Sequence, residues 1–493
     1  MEINNRNYYL LTFIIILFGF CLRVYQLGNA SFWNDEAGQA LAATQTTVSE
    51  MVTIIKSHAM AMPLDYFVTR MFSKLGTTEF ILKFPSALWG TLTLGLCFVF
   101  IKKYYETKIS LFAVWLLTIN PQLIHYSQEL RFYSALIFFY ALSNLCLFRA
   151  VSQSLISAWL VYSIVTAIGA YFHPYVLLNA LNGFLYLAVF RQTPSIYYKK
   201  IIALIISILL SGMLFLPGYL YFGAQQKFNY ELLQWGGPLH FIIFAGVGWR
   251  AMHYCKTTFG MWELLNVGGV SVGLLLVISQ YKKNRILLSM AIGAFIQIGI
   301  IIFTDWMKGY WFLSRQIVYL IPTMIILVAV GYVSLLDHIS RLFKAPAVKS
   351  WCLLIIITLF TLSSIPRIAD YYQFSKSTGR EIVCKLLESH REGEQVFVIP
   401  AHEETIYRFY LSQTLKGQKT MKELRPSRWE DLPSAVKGLS NTAYLIAPLK
   451  PLFSVKKQQE ILKSLQFNLC FIPEKRSWLT RVLYVREKIK RLE

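Results

Sequence analysis

Four short stretches carry side chains that could do chemistry. In Phe32-Trp33-Asn34-Asp35-Glu36-Ala37, two adjacent carboxylates sit beside aromatic residues. A carboxylate held at an interface can act as a general base and take a proton from an acceptor hydroxyl. The competing reading is an ordinary helix start, with Asn34 or Asp35 as N-cap and Trp33 as an interfacial aromatic. In Tyr126-Ser127-Gln128-Glu129-Leu130-Arg131-Phe132-Tyr133, a guanidinium follows a carboxylate by two residues. Arginine presents a planar fork suited to phosphate, and Glu129 could orient it or contact a substrate. A local ion pair among interfacial tyrosines explains the same residues. The third stretch, from Asp305 to Arg315, adds Lys308 and Arg315, which read either as phosphate ligands or as snorkelling side chains. The fourth is His173-Pro174, where a lone histidine is a ligand, a hydrogen-bond donor or a structural residue.

The elements that must position these groups are membrane-spanning. Of 493 residues, 55% are hydrophobic and only 15% charged. A soluble chain would carry about 25% charged residues. The apolar residues form blocks of about 17 to 22, long enough to cross a bilayer as helices, and the short alternating segments of a β-barrel are absent. The pattern predicts eleven spanning helices, at 8–27, 82–101, 109–126, 132–149, 157–173, 174–190, 201–221, 263–280, 286–303, 316–336 and 350–366. The stretch Leu239–Val247 is apolar but short, as expected of a re-entrant or interfacial segment. The first block lacks a small-residue cleavage site and reads as a retained helix.

Charge sets the expected orientation. With the N-terminus inside, the cytoplasmic turns hold Lys102, Lys103 and Lys108; Arg149; Arg191, Lys199 and Lys200; Lys282, Lys283 and Arg285; and Arg341, Lys344 and Lys349. The outer turns at 121–131 and 305–315 hold only Arg131, Lys308 and Arg315. This is the positive-inside bias, and it accounts for the net charge of +22 better than nucleic acid does. It puts the loop 28–81, the loop 222–262 and everything after 367 outside. The expected organisation is a transmembrane domain over 1–366, with a catalytic first outer loop at 28–81, and a soluble extracytoplasmic domain over 367–493. In that tail the short β-rich runs Val396–Pro400 and Ala443–Ala447 alternate with helical patterns at Arg380–Ser389 and Lys456–Leu465, which predicts a small α/β domain. The seven cysteines show no metal-ligand spacing; Cys384 and Cys470 fall in the tail, where they pair or stay free.

Several of these motifs, in order and on one topological side, resemble those of the GT-C superfamily of membrane glycosyltransferases. The nearest resemblance is to the dolichyl-phosphate-mannose–protein mannosyltransferase-like group (glycosyltransferase family 39) and its bacterial relatives, such as the lipid A aminoarabinose transferases. Trp33-Asn34-Asp35-Glu36-Ala37 is similar to the acidic motif of the first outer loop. Ala61-Met62-Pro63-Leu64-Asp65-Tyr66 is similar to a hydrophobic-Pro-Pro-Leu-x-Tyr stretch, with Met62 replacing the first proline. Leu82-Lys83-Phe84-Pro85-Ser86-Ala87-Leu88-Trp89-Gly90 resembles the stretch leading into the second span, with Lys83 where arginine is usual. Ser127 to Tyr133 resembles the Ser-Gln-Glu-x-Arg-x-Tyr turn, and Ser314-Arg315-Gln316 with Pro322 and Gly331 resembles a late helix, with Gln316 in place of tyrosine.

The resemblance implies a polytopic α-helical protein that transfers a hexosyl or pentosyl group from a polyprenyl-phosphate donor to a glycan, lipid or protein acceptor, by one inverting displacement. Asp35 is then the general base and Glu36 its assistant or an acceptor ligand. Arg131, Arg315 and Lys308 hold the donor phosphate, where charge develops as the lipid leaves. Glu129, Tyr133 and His173 bind substrate. A divalent ion on Asp35, Glu36 and His173 is an open possibility, and no other cofactor is implied. The expected location is the plasma (inner) membrane, with the active site extracytoplasmic. A transporter or flippase of lipid-linked sugars is the rival reading. It predicts ionisable groups or broken helices near mid-membrane, whereas the expected spans are nearly free of charge between their ends.

Overall fold

The computed structural model describes residues 5–57, 62–189, 194–223, 261–307, 314–344, 346–373, 377–428, 430–437, 439, 442–448, 455–472 and 481–486. Lys308, Cys255, Arg191 and the stretch Leu239–Val247 lie outside them. The chain divides into two compact units. The first comprises Met1–Tyr25, Val52–Val68 and Phe84–Tyr371; the second comprises Gln26–Met51, Thr69–Lys83 and Tyr372–Glu493.

The first unit is helical. Every one of the eleven expected segments coincides with helix among the described residues. Eight helices are long and apolar enough to cross a membrane: Asn7–Val24, Glu79–Tyr104, Tyr133–Gln153, Pro194–Gly223, Met261–Ser279, Arg285–Thr304, Arg315–Leu342 and Ala347–Gln373. The third expected span is broken. Thr107–Thr118 and Pro121–Ser127 meet at 58° and count as a ninth span if taken together. The break has a local cause. Asn120 is the N-cap of the second piece, its Oδ1 accepting from the Gln122 and Leu123 amides at 3.0 Å each, and Pro121 follows where an amide proton is dispensable. Ile156–Phe172 is a shorter apolar helix, and the segment Pro174–Val189 after it begins as a 3₁₀ turn.

Burial shows how these helices meet lipid and one another. Phe13, Leu209, Met213, Leu275 and Leu354 are exposed on outward faces, as expected where hydrocarbon is the solvent. The chain is an integral membrane protein. Inside, Ile325, Leu327, Val328, Ala329 and Val330 of the helix Ile321–Leu342 pack with Phe112, Val114, Leu116 and Leu117 of the helix Thr107–Thr118. Close approach at the opposite side rests on glycine. A Cβ on Gly331 would lie 2.6 Å from the Gly269 carbonyl oxygen, and one on Gly273 would lie 2.2 Å from that of Leu327. A neutral network ties three helices, Tyr133–Gln153, Ala180–Val189 and Arg285–Met307. Asn182 Nδ2 donates to Asn144 Oδ1 at 2.7 Å and to the Tyr140 hydroxyl at 3.2 Å, while Gln297 Nε2 donates to Tyr140 at 2.9 Å. Such interhelical bonds contribute about 0.6 kcal/mol each and fix register in a medium without water.

The second unit is α/β. Its five-stranded sheet runs in the order β2-β1-β3-β5-β4, with β1 Gln395–Val398, β2 Leu424–Pro426, β3 Ala443–Pro448, β4 Asn468–Phe471 and β5 Arg481–Arg486. β1 pairs in parallel with β2 and β3, and β5 runs antiparallel to β3 and β4. Phe397 and Leu445 face a cluster with Leu432, Val436 and Phe467, and Val396, Val398 and Ile446 are buried on the opposite face. Coverage of both faces explains why β1 and β3 read as continuous apolar runs. The expected tail helices occur as Gly379–Ser389 and Val455–Ser464. Cys384 and Cys470 are free and exposed.

Candidate functional site

The acidic motif belongs to the second unit. Its helix is Asn34–Ala43, and the N-cap is Trp33 in an extended conformation, one residue earlier than the sequence suggests. Trp33 offers no side-chain acceptor, so the cap is made backwards: Glu36, at the third helical position, accepts the Trp33 amide on Oε2 at 3.3 Å. Glu36 Oε1 lies 3.8 Å from Lys83 Nζ, and both side chains are buried. Lys83 also donates to the Ala30 carbonyl at 3.0 Å and lies 5.2 Å from the Phe32 ring centroid. Glu36 is thereby held by its own helix terminus and by a buried cation. Asp35, its neighbour, is half-buried in the first turn, where the helix dipole favours a negative charge. The adjacent acids therefore differ: one braces the motif and the other reaches solvent.

Further bonds fix the backbone before the motif. The Phe32 amide donates to the Tyr410 hydroxyl at 2.7 Å, and that hydroxyl donates to Glu79 Oε1 at 2.8 Å. Arg380 reaches the carbonyls of Gly28 and Asn29 at 3.3 and 3.0 Å and pairs with Glu79 at 3.0 Å. Burial, and next the Glu79 carboxylate, push the Tyr410 phenol well above its ordinary range, so it stays a donor. Gln39 Nε2 donates to Thr69 Oγ1 at 2.9 Å on the far side of the same helix.

The basic and aromatic candidates belong to the first unit. The turn Gln128–Phe132 follows the broken helix and is anchored by Gln128, whose Nε2 donates to the Arg23 and Tyr25 carbonyls at 3.0 and 2.7 Å. Arg23 is fully buried and donates to the Gly19, Leu117 and Thr118 carbonyls at 2.9, 3.3 and 3.5 Å, so it satisfies the end of the helix before the break. Gly90 is required beside it: a Cβ there would sit 2.0 Å from Ser127 Oγ and 3.1 Å from Arg23 Nε. Glu129 Oε2 lies 3.4 Å from His125 Nε2. The Glu129 carbonyl accepts the Arg131 amide at 2.8 Å, which tightens the turn.

Arg131 lies with its guanidinium carbon 5.3 Å from the Phe132 ring centroid. Phe132 stacks on His173 at 4.5 Å and contacts Tyr133 at 4.5 Å. His173 Nδ1 accepts the Tyr175 amide at 3.2 Å, which leaves the ring proton on Nε2. From Tyr175 the rings continue to Tyr319 at 5.9 Å and on to Tyr140 at 4.7 Å. Tyr319 lies one helical turn beyond Arg315 in the 3₁₀ segment Ser314–Leu320, and Arg315 itself is half-buried. The structure thus joins Arg131, Tyr133, His173 and the Arg315 segment through one aromatic cluster. Sequence reasoning missed Phe132, Tyr175 and Tyr319 as its mortar, and His125, Arg23 and Lys83 as partners of charged or turn residues. Lys83 had a signal in its motif position, and Arg23 in being a cation within an apolar helix.

Among the described residues no three His, Cys, Asp or Glu side chains are grouped to hold a metal ion.

Comparison with known proteins places the fold. Residues 57–221, about a third of the chain, match the family model described as dolichyl-phosphate-mannose-protein mannosyltransferase. That segment contains Lys83, Gly90, Glu129, Arg131, Tyr133 and His173, whereas Asp35, Glu36 and Arg315 lie outside it. ArnT from Cupriavidus metallidurans, solved bound to undecaprenyl phosphate, is similar with a TM-score of 0.60 at 13% identity, over 98% of this chain and 98% of its own. The oligosaccharyltransferase AglB from Archaeoglobus fulgidus, solved with an inhibitory peptide and a dolichol-phosphate, is similar with a TM-score of 0.52 at 11% identity, over 93% of this chain and 68% of its own. No curated protein sequence matches the chain. At such identities the likeness is one of fold, and the chain has the GT-C fold that its motifs resemble.

Proposed function

We propose that this chain with a GT-C fold is a membrane glycosyltransferase, which moves a sugar from a polyprenyl-phosphate carrier to an acceptor hydroxyl with inversion. The observation that carries the reading is the division of labour between Asp35 and Glu36. A buried, doubly held Glu36 has no freedom to shuttle protons, while Asp35 is half-buried on a helix start braced for rigidity. Asp35 takes the acceptor proton as the acceptor oxygen attacks the anomeric carbon. The bond from that carbon to the phosphate oxygen breaks, and negative charge builds on the departing lipid phosphate. Arg131 and Arg315 offset that charge, which is why two guanidinium groups rather than a second carboxylate are expected. Phe132 supports the Arg131 guanidinium. His173 Nε2–H is a donor suited to a sugar hydroxyl; Glu129 belongs to the turn that carries Arg131, and Tyr133 opens the helix after it. The lipid-phosphate ligands in the similar ArnT and AglB structures support this donor class. Lys308 keeps its place in the reading on charge alone.

The positive-inside distribution supports a cytoplasmic N-terminus, with Asp35, Arg131, His173 and the domain over 367–493 extracytoplasmic. The test is reconstituted transfer from a short-chain polyprenyl-phosphate sugar, scored by release of polyprenyl phosphate. Asp35→Asn abolishes it, and Asp35→Asn turning over at the parental rate removes the base from the mechanism.

A further inference from the structure

The backbone leading into the acidic motif has almost no freedom, and much of what holds it comes from far along the sequence. Within the second unit, Arg380 holds the carbonyls of Gly28 and Asn29, Lys83 that of Ala30, and Tyr410 the amide of Phe32. The Phe32 ring is fully buried, edge-on to Phe409 at 5.2 Å and stacked on Tyr410 at 6.3 Å. The Tyr410 hydroxyl is used twice, accepting from Phe32 and donating to Glu79, which Arg380 in turn pairs. Glu79 is buried against both of these partners. Tyr410 sits in the helix Glu404–Ser412, in the part of the chain that carries the sheet.

We propose that Tyr410 is a positioning residue for Asp35, and that the C-terminal α/β region is thereby a working part of the catalytic apparatus rather than an appendage. Tyr410 fixes the main chain three residues before Asp35 and does so as the centre of a relay, Phe32 N–H to Tyr410 O–H to Glu79 to Arg380. Asp35 is the second residue of the helix that Trp33 caps, and the Trp33 amide is held by Glu36, so a shift at Phe32 is passed to the first turn of the helix. The inference rests on the assignment of Asp35 as base. Its first readout does not.

The variant is Tyr410→Phe in the full-length protein, which deletes the hydroxyl and keeps the ring between Phe32 and Phe409. Hydrogen exchange of a peptide spanning 28–36 is expected to quicken about tenfold or more as the Phe32 amide loses its acceptor, while β1 and β3 exchange as before. Turnover is expected to fall about ten- to a hundredfold with the donor KM unchanged, because misplacement of a reacting group weighs on the chemical step. A purely structural defect would instead lower the active fraction and quicken exchange in the strands as well. In that event Glu79→Gln decides, since it keeps an acceptor for the hydroxyl but removes the charge facing Arg380; it is expected to act in the same direction, more weakly. Unchanged exchange at 28–36 in a folded variant overturns the proposal, and so does faster exchange with unchanged kcat. Should Asp35→Asn retain turnover, the base assignment falls, and the exchange data still say whether Tyr410 holds the motif.

Discussion

If Asp35 is the base, substitutions at the two adjacent acids should separate activity from stability, and Lys83 is the lever. In Lys83→Met the buried Glu36 carboxylate keeps the Trp33 amide at 3.3 Å but loses the ammonium 3.8 Å away. Breaking a buried pair from one side costs about 3–5 kcal/mol. The remaining amide bond and the long pair distance place this one near the lower bound, about 3 kcal/mol. For a unit of this size each kcal/mol corresponds to about 2–4 °C, so the second unit should melt about 6–12 °C earlier. Glu36→Gln leaves Lys83 with the Ala30 carbonyl and the Phe32 ring, and should cost less, about 1–2 kcal/mol. Lys83→Met with Glu36→Gln should be milder than the sum, because no buried charge is left unpaired. Asp35→Asn, at a half-buried first-turn position, should move the melt by about 1–2 °C through the helix dipole alone, yet abolish transfer. The assay is thermal unfolding in detergent, followed through exchange of the strands β1 and β3, with turnover measured on the same preparations. If Lys83→Met melts with the parent, or the double variant is as damaged as the two single losses added, the bracing of Glu36 by Lys83 is wrong. If Asp35→Asn loses stability and activity together, the division between the two acids is wrong.

Arg131→Ala and Arg315→Ala should each raise the donor KM about ten- to a hundredfold at saturating acceptor, as expected for losing a charge-assisted bond of about 1.5–3 kcal/mol; donor titration checks it, and unchanged donor dependence in both returns them to structural roles. Gly90→Ala should destabilise the first unit because its methyl meets Ser127 Oγ at 2.0 Å, and Gly90→Ala with Ser127→Gly should recover part of the loss in a thermal melt. In a cysteine-free background, an impermeant maleimide should label the exposed positions Ser49→Cys and Ser389→Cys in intact cells but not Ser195→Cys. Labelling at Ser195 with protection at Ser49 would invert the orientation.

The membrane helices were legible because one property decides them. A block of apolar residues long enough for the bilayer has no other economical fate, so all eleven segments coincide with helix. Hydropathy alone does not record where a span breaks. The segment 109–126 reads as continuous, yet Asn120 and Pro121 bend it by 58°, since a capping side chain followed by a residue without an amide proton restarts a helix more readily than it continues one. The strands β1 and β3 were legible for a related reason, being short apolar runs bounded by turn residues. Glycine positions carried more than their motif suggested. Gly331 and Gly90 both mark places where a neighbour approaches too closely for a methyl group, and a single sequence does not name the neighbour.

What the sequence hid is pairing over distance. Asp35 and Glu36 look equivalent in the chain, and nothing local says that Lys83, 47 residues on, will take one of them out of solvent. The division at 366 suggested by composition separates the first loop from the tail, whereas segments 26–51 and 69–83 cluster with 372–493 in one unit. Hydropathy groups residues by the solvent they tolerate, and hydrogen bonds group them by the partners they need. The first loop is polar enough to leave the membrane, and its buried groups (Glu36, Glu79 and the amide of Phe32) are then satisfied by Lys83, Tyr410 and Arg380. A buried carboxylate without such a partner would be neutralised or driven back to water. The acids of the motif region therefore imply cations and hydroxyls somewhere in the same unit, and that requirement, more than the motif itself, explains why a loop near the N-terminus and a helix near the C-terminus are parts of one structure.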